Sequence, residues 1–305
     1  MDNVRFECGE FKVYVGRFDV NTTIFYRHGI ATDPNTGKDV YDGVKSVLIT
    51  HGHADHFGDA LFLEDRVRIV APKHETPLVE NPEINWRGMY SWAKLPEEVV
   101  TPYFLGRGVR VDIFSEEIGK LGEAEKTGDV AVSVKPVKMP GHTPSHTAYL
   151  VDSTFVVSDA VHSPEYWEKF GILYYVDPDK MGESLIKAKE FDWDYIIPGH
   201  GEIFDKKEGK KVLNINLKML GKIDREIYDI VKEGGEEGIE EVEIFAILAR
   251  RYGFRGVKAV LVVMPPVRGH LTSMCERGIL ELFEVDGRIK LRVKGNYRKP
   301  NFLNR

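Results

Sequence analysis

The sequence predicts an α/β fold: a sandwich built in layers, followed by a small helical region at the C-terminal end. Short β-branched, apolar segments recur in two runs, separated by loops and helical spacing, and this arrangement predicts the sandwich. From about residue 210 helical periodicity takes over, which sets the end of the chain apart. A length of 305 residues with 42% hydrophobic residues allows one large domain plus a small one. We therefore predict domains at residues 1–209 and 210–305.

Each strand prediction is based on a short apolar run that is rich in β-branched or aromatic residues and bounded by turn residues. The predicted strands are Phe11–Val15, Thr22–Tyr26, Val44–Thr50, Val67–Ala71, Val130–Val137, Thr147–Val151, Thr154–Val157 and Tyr195–Ile197. Residues 72–125, between the two runs, show no clear period, and Asn85–Val100 within them is expected to be an excursion from the framework.

The C-terminal region is expected to be helical and to end in a β-hairpin. Leu280–Val285 and Arg288–Val293 alternate about Asp286-Gly287, which is a two-residue hairpin signal. Three shorter helices before this hairpin resemble a winged helix. The predicted helices, including the long first one, are Leu213–Val231, Ile239–Tyr252, Val257–Met264 and Pro266–Arg277.

The most informative stretch is Thr50–His56, which lies between a predicted strand and the helical spacing of Phe57–Asp65. In an extended turn alternate side chains point the same way, so His51 and His53 can face one point. The next two polar residues, Asp55 and His56, can face a second point nearby. Imidazole nitrogens with a carboxylate are ligands for zinc, and also for manganese or iron. The stretch therefore predicts a metal site.

Three later turns supply further residues of the same chemical types. His142, Asp159 and His200 each follow the carboxyl end of a predicted strand, in turns that contain Gly, Ser or Pro. Open α/β sheets gather ligand sites outside such strand ends, where loops carry the chemistry. Each turn is a weak signal alone, but their order after the first cluster is a strong one.

This series resembles the metallo-β-lactamase superfamily, whose signature is HxHxDH followed by a histidine, an aspartate and a histidine; the resemblance covers roughly residues 10–205. It implies an αββα sandwich that holds two divalent metal ions, here with a winged-helix-like C-terminal domain. It also makes Asp55 both a metal ligand and the candidate catalytic residue. Carried over by position, the ligands are His51, His53 and His142 for the first metal, Asp55, His56 and His200 for the second, and Asp159 as the bridge.

The chemistry expected of such a site is hydrolysis. Two metals ~3.5–4 Å apart need a bridging carboxylate and hydroxide between them, and each lowers the pKa of bound water towards ~7. Five histidines with two aspartates suit zinc best, with iron or manganese as alternatives. Resemblance to glyoxalase II and lactonases favours a small ester, thioester or lactone as substrate, attacked by a hydroxide bound to both metals.

Two other activities and one binding role compete with this interpretation. Ribonucleases occur in the superfamily, and residues 285–305 carry seven basic residues against Asp286 alone, which makes RNA a possible partner of an endoribonuclease or other phosphodiesterase. A persulfide dioxygenase with one iron shares much of the signature. A nucleic-acid-binding module without catalysis is the third alternative, and it has little use for seven ligands.

Composition and charge indicate which partners and which cellular location to expect. A net charge of −6 predicts no global attraction to nucleic acid or membrane. No apolar run approaches the ~18 residues of a membrane span and the start lacks a signal peptide, so we expect a cytoplasmic protein. Abundant Glu and Lys, with no glutamine, resemble thermophile usage. The two cysteines, Cys8 and Cys275, are far apart and are interpreted as ordinary small hydrophobic residues.

Four residues near the predicted ligands have open roles. His146 could orient a neighbouring ligand or only pack within its turn. His162 could face substrate, although a plain loop histidine is the simpler interpretation. Tyr174 or Tyr175 could polarise a carbonyl group, but paired aromatic residues are more often part of a core.

Overall fold

The computed structural model describes residues 3–37, 40–89, 107–118 and 134–304. Two β-sheets lie face to face, with helices against their outer sides, so the predicted αββα sandwich is confirmed. The first sheet has seven strands in the order β1 to β7, antiparallel as far as β4 and parallel from β4 to β7. Its strands are Val4–Cys8, Phe11–Val15, Asn21–Phe25, Ile30–Thr32, Ser46–Leu48, Arg68–Ala71 and Ile113–Phe114.

The second sheet has five strands in the order β12-β11-β10-β9-β8. Only β10 and β11 are parallel, and the other neighbouring pairs are antiparallel. The strands β8 to β12 are Val134–Lys138, Thr147–Val151, Thr154–Ser158, Tyr195–Pro198 and Phe204–Asp205. The α-helices α1 to α8 are Ala60–Leu63, Thr76–Glu80, Pro82–Met89, Pro164–Phe170, Pro178–Ala188, Lys206–Glu233, Glu241–Arg251 and Val257–Glu276.

Side-chain alternation along the central strands builds the layers. Leu48 on β5 and Val156 on β10 belong to the apolar cluster between the sheets. Their neighbours point outward: Val47 packs with the cluster under α1, and Phe155 packs with the cluster under the helices of the other face. Because successive residues of a strand face opposite sides, one short apolar run serves two layers.

Three features of the sandwich differ from the sequence prediction. The predicted strand at Val44–Thr50 is paired only at Ser46–Leu48, since the chain leaves the sheet to form the ligand turn. The expected helix at Phe57–Asp65 is reduced to Ala60–Leu63, preceded by a 3-10 turn. Strands Val4–Cys8, Ile30–Thr32, Ile113–Phe114 and Phe204–Asp205 were not predicted; the first is half exposed and the other three are very short.

Two other predicted segments fall partly outside the described residues. The predicted strand at Val130–Val137 is present as Val134–Lys138, and its first four predicted residues lie outside the described chain. The excursion at Asn85–Val100 begins within α3, and its part from residue 90 onward also lies outside the described residues.

The C-terminal region contains α6 to α8 and the strands β13 (Ile239–Glu240), β14 (Leu280–Val285) and β15 (Arg288–Val293). These strands form a three-stranded sheet in the order β13-β15-β14. The hairpin is confirmed, with Val285 paired to Arg288 around two residues of positive φ. One apolar cluster joins this region to the second sheet, for it includes Phe155 as well as Leu291. The winged-helix assignment and the boundary at residues 209/210 stay predictions.

The predicted pair of helices at Val257–Met264 and Pro266–Arg277 is a single helix, α8, that continues through Pro265 and Pro266. Proline removes a helical hydrogen bond and normally ends a helix. Here Val263, Val267 and Met274 are fully buried at helical spacing on both sides of the prolines. Burial of one continuous apolar stripe therefore offsets the missing bonds. Across the described residues, no helix is both long and apolar enough to cross a membrane.

Candidate metal centre

The seven predicted ligand residues lie together at one edge of the sandwich, in the turns that follow β5, β8, β10 and β11. They fall into two groups, and within each group the ligand atoms lie within 4.8 Å of one another. The first group is His51, His53, His142 and Asp159, and the second is Asp55, His56 and His200. The loops of both sheets thus converge on one centre, as the strand-end argument predicts.

Asp159 lies between the histidines of the two groups. Its Oδ2 is 3.3 Å from Nε2 of His142 in the first group and 3.5 Å from Nε2 of His56 in the second. Its Oδ1 is 3.5 Å from Nε2 of His200. A single carboxylate therefore faces both sets of imidazoles, which is the position that a bridging ligand needs.

The outer ring nitrogens of three histidines are already engaged. Nδ1 of His142 donates to the Tyr174 carbonyl at 2.9 Å, and Nδ1 of His200 donates to the Phe18 carbonyl at 3.1 Å. Nδ1 of His51 lies 3.0 Å from the hydroxyl oxygen of Thr50. Because a proton on Nδ1 leaves Nε2 with its lone pair, these bonds direct Nε2 of each ring at the centre as a ligand atom.

Asp33 is a buried carboxylate behind the centre that the sequence did not reveal. It accepts a bond from the Thr50 amide at 2.9 Å and one from the Thr50 hydroxyl at 2.8 Å. The same carboxylate lies 3.1 Å from Nδ1 of His56 and accepts a bond of 2.6 Å from the hydroxyl of Ser158. It therefore fixes the His56 ring and connects the turns of two different sheets.

Glu75 is a second buried carboxylate that the sequence did not reveal. Its Oε2 accepts from the amide of Gly52 at 3.1 Å, between the first two histidines of the cluster. Its Oε1 accepts from the hydroxyl of Thr143 at 2.7 Å and from the amide of Ser145 at 3.0 Å. One side chain thus clamps the turn after β5 to the turn after β8, each of which carries predicted ligands.

Three buried atoms at the centre lack a hydrogen-bond partner among the described residues: Nε2 of His51, Nε2 of His56 and Oδ1 of Asp159. Buried polar atoms are nearly always paired, so three unpaired ones that face a common point indicate a missing ligand. Two lone-pair nitrogens and a carboxylate oxygen are what a divalent cation accepts. Gly199 belongs to the same arrangement, because a Cβ there would overlap Oδ1 of Asp159. The residues present therefore fit a metal centre.

Burial and mutual repulsion keep three of the histidines neutral. Burial lowers the pKa of His51 and His142 well below the usual range, and neighbouring imidazoles add to the effect at His51. The pKa of His53 falls to about 4, chiefly by burial. A neutral imidazole is the form that binds a metal, so the first group is prepared for binding at neutral pH.

The second group has the opposite electrostatic balance. Burial lowers the pKa of His56, but the carboxylates of Asp159 and Asp55 outweigh it, and the net pKa lies well above the usual value. At His200 burial again lowers the pKa and Asp159 reverses the sign. The pKa of Asp159 is raised by burial and lowered more strongly by the histidines around it, so the net shift is well downward. The carboxylates thus attract positive charge to this side of the centre.

The structure also locates three of the four residues whose roles were open. His146 is fully buried and stacks on His51 with ring centroids 5.1 Å apart, and neither of its nitrogens has a hydrogen-bond partner in the described chain. That geometry favours packing over orientation of a ligand. The ring of Tyr174 lies 5.0 Å from that of His53, whereas Tyr175 points away and contacts His270.

Comparison with known proteins agrees with this geometry. The family model described as the metallo-beta-lactamase superfamily matches residues 42–200. No curated protein sequence matches the chain. Several solved structures share the fold at identities too low to indicate more than fold.

A metallo-beta-lactamase family protein of Thermus thermophilus has 12% identity and a TM-score of 0.62, covering 96% of this chain and 98% of its own. A beta-lactamase domain protein of Burkholderia ambifaria has 17% identity and a TM-score of 0.55, covering 93% of this chain and 86% of its own. The inverting sec-alkylsulfatase Pisa1 of a Pseudomonas species has 13% identity and a TM-score of 0.54, covering 90% of this chain and 50% of its own.

Proposed function

The chain belongs to the metallo-beta-lactamase superfamily, and on that premise we propose that it is a hydrolase of a small ester, thioester or lactone that works with two divalent cations. The observation that carries the proposal is the convergence of unpaired lone pairs from His51, His56 and Asp159 on one buried centre.

The two groups of residues divide naturally between two cations. His51, His53 and His142 would hold the first, and Asp55, His56 and His200 the second, with Asp159 facing both. Bound cations of this kind supply an activated water at neutral pH and polarise a carbonyl oxygen. The chain contributes fixed imidazole orientations, through the carbonyls of Tyr174 and Phe18 and the Asp33 carboxylate. Zinc suits this nitrogen-rich set best, with iron and manganese as the alternatives.

The completeness of the second group favours a dinuclear hydrolase over the mononuclear-iron dioxygenase considered above. A single cation would use the first group and leave Asp55, His56 and His200 without a ligand role. These three side chains nevertheless place their ligand atoms within 4.8 Å of one another. His56 is fully buried, and maintaining such a group without a ligand would cost stability.

The pairing of the basic hairpin favours a small substrate over RNA. Arg288 lies 3.0 Å from the Glu240 carboxylate. Arg292 and Lys294 lie 2.7 and 3.6 Å from the two carboxylate oxygens of Glu281. These two carboxylates offset part of the positive charge that a phosphate backbone would need. The hairpin is thus better suited to support of the fold than to phosphate binding.

A substrate screen of metal-reconstituted protein tests the proposal. The purified chain is stripped with a chelator, reloaded with zinc, iron or manganese, and assayed against an ester, a thioester, a lactone and a structured RNA. We expect hydrolysis of at least one carboxylic substrate that is lost in Asp159→Ala and on chelation. RNA cleavage without any turnover of the carboxylic substrates would contradict the proposal, as would persulfide-dependent oxygen consumption by the iron-loaded protein.

A further inference from the structure

A cavity of about 380 Å³ opens directly beside the candidate metal centre. His53 and Gly52 form its inner wall, so its contents would lie next to the first ligand group. The remaining wall is mainly apolar, and its apolar side chains are Pro77, Leu78, Ile84, Pro144, Tyr174 and Val176. All six are partly or largely exposed, which is unusual for a cluster of apolar side chains in one place.

The cavity is attached to the centre through two contacts. The Tyr174 ring lies 5.0 Å from the His53 ring and 5.4 Å from the His142 ring, so it forms part of both the cavity wall and the metal site. Thr143 and Pro144 line the cavity immediately after His142 in the chain. A substrate whose reactive carbon lies at the metals would therefore have its adjoining group in the cavity.

The described wall of the cavity offers no cationic side chain to an anionic occupant. Among the described lining residues there is no lysine or arginine, and the carboxylic and imidazole side chains are His53, His74 and Glu75. Both carboxylate oxygens of Glu75 already accept hydrogen bonds, from the amides of Gly52 and Ser145 and the hydroxyl of Thr143. Asn85 donates to the carbonyls of Gly52 and Leu78, so it too has its polar contacts inside the protein. A phosphate or carboxylate would find no cationic partner on this wall.

We propose that this cavity binds an uncharged, apolar acyl group, so that the preferred substrate is an ester or thioester of a medium-length acyl chain. This inference rests on the proposed hydrolase function and names its substrate class. Burial of each methylene contributes about 0.8 kcal/mol, so kcat/KM should rise roughly fourfold for each added carbon until the cavity is full.

The test uses acetyl, butyryl, hexanoyl and octanoyl esters of one phenol, with the zinc-loaded full-length chain. We expect kcat/KM to rise along the wild-type series. Ile84→Asp, which places a charge in the apolar wall, should lower the hexanoyl-to-acetyl ratio of kcat/KM about tenfold or more. Val176→Thr, which keeps side-chain volume, should lower the ratio by a smaller factor. Val242→Asp is the matched control, since Val242 is exposed in the C-terminal region and should leave the ratio unchanged.

A binding experiment separates failure of this inference from failure of the proposed function. Calorimetry measures the affinity of the wild-type and Ile84→Asp proteins for acetamide, butanamide, hexanamide and octanamide. If no ester is hydrolysed but affinity still rises with chain length and Ile84→Asp abolishes the rise, the cavity assignment stands and the hydrolase fails. Ester hydrolysis that is independent of chain length, with equal affinity for all four amides, would overturn the cavity assignment alone.

Discussion

Ser158 donates a hydrogen bond of 2.6 Å to Oδ2 of Asp33, and this bond joins the two sheets at the edge that carries the candidate ligands. Both residues have positive φ values, 47° for Ser158 and 45° for Asp33. Such backbone costs on the order of 1–3 kcal/mol for residues other than glycine and persists only where surrounding contacts hold it. The same oxygen of Asp33 lies 3.1 Å from Nδ1 of His56, so the strained pair orients a ligand.

Asp33→Asn should weaken metal binding without unfolding the chain. The amide keeps the size of the side chain but removes the negative charge that holds the His56 ring. Loss of such an outer contact typically costs 10–100-fold in metal affinity. Dialysis against a graded chelator, followed by elemental analysis, measures the change. Asp152→Asn is the matched control, because Asp152 also has positive φ and pairs with a histidine, His28, away from the centre. Equal metal retention in both variants would refute the role of Asp33.

Glu75→Gln should destabilise the protein at the contact between two ligand turns. The carboxylate accepts three hydrogen bonds from two turns, and an amide presents only one accepting atom. At least one buried donor loses its partner, at a cost of about 1–3 kcal/mol. Urea unfolding of the metal-loaded protein measures the loss. Glu80→Gln serves as control, since Glu80 is exposed and accepts one bond from the Val111 amide. An unchanged midpoint for Glu75→Gln would show that the clamp contributes nothing.

The metal-free chain should lose stability as the pH falls below about 6.5, partly through His162. Burial lowers the pKa of His162 to about 4. The unfolded chain therefore binds more protons than the folded chain between pH 6.5 and 4. The free energy of unfolding thus decreases as the pH is lowered through this window, and the contribution of His162 is fully present above it. The loss from this group is about 2 kcal/mol between pH 7.5 and pH 5.

His162→Gln should remove that contribution. The Asn216 side chain bonds to the backbone amide and carbonyl of His162, so these contacts survive the substitution. Urea unfolding of the chelated wild type and variant at pH 7.5 and pH 5 gives the change in the free energy of unfolding for each protein. A variant that loses as much free energy of unfolding as the wild type over this interval would contradict the assigned pKa.

Neutralising the basic hairpin should leave hydrolysis of a small ester nearly intact. The triple variant with Arg288, Lys290 and Arg292 replaced by Gln removes charges that contact Glu240, the Glu237 carbonyl and Glu281. If RNA were the substrate, binding would fall ~10³-fold or more between 50 and 200 mM salt and the variant would lose most of its activity. Ester turnover and RNA affinity, each measured across that salt range, decide between the two substrates.

Part of the fold could be predicted because local patterns coincide with tertiary structure. The hairpin about Asp286-Gly287 has its predicted register, since the turn residues and the alternation specify it without distant contacts. The predicted ends of the strand before His51 were wrong, because the apolar residues on either side of Ser46–Leu48 fit a buried turn as well as a strand. The single helix through Pro265 and Pro266 was missed because its stability comes from contacts distant in sequence.

In the candidate site, too, the residues of a local motif could be predicted and those held by distant contacts could not. Its seven predicted ligands lie together because their motif has a recognisable spacing. Asp33 and Glu75 were missed because each is a lone acidic residue whose partners are distant: Asp33 bonds to a residue 125 positions away. A weak signal existed for Asp33, which directly follows a short apolar segment and precedes a proline. The assignment of the ligands to metals, the cytoplasmic location and the thermophilic habitat stay predictions.

The dinuclear centre is tested by the number of metal ions that the chain binds and by how the activity follows each ion. Zinc is titrated into chelated protein by calorimetry, and ester hydrolysis is followed at each step. We predict saturation at two ions per chain, with most of the activity gained with the second ion, and preferential loss of that second ion in Asp159→Ala. Saturation at one ion, or full hydrolysis by metal-free protein, would contradict the dinuclear centre.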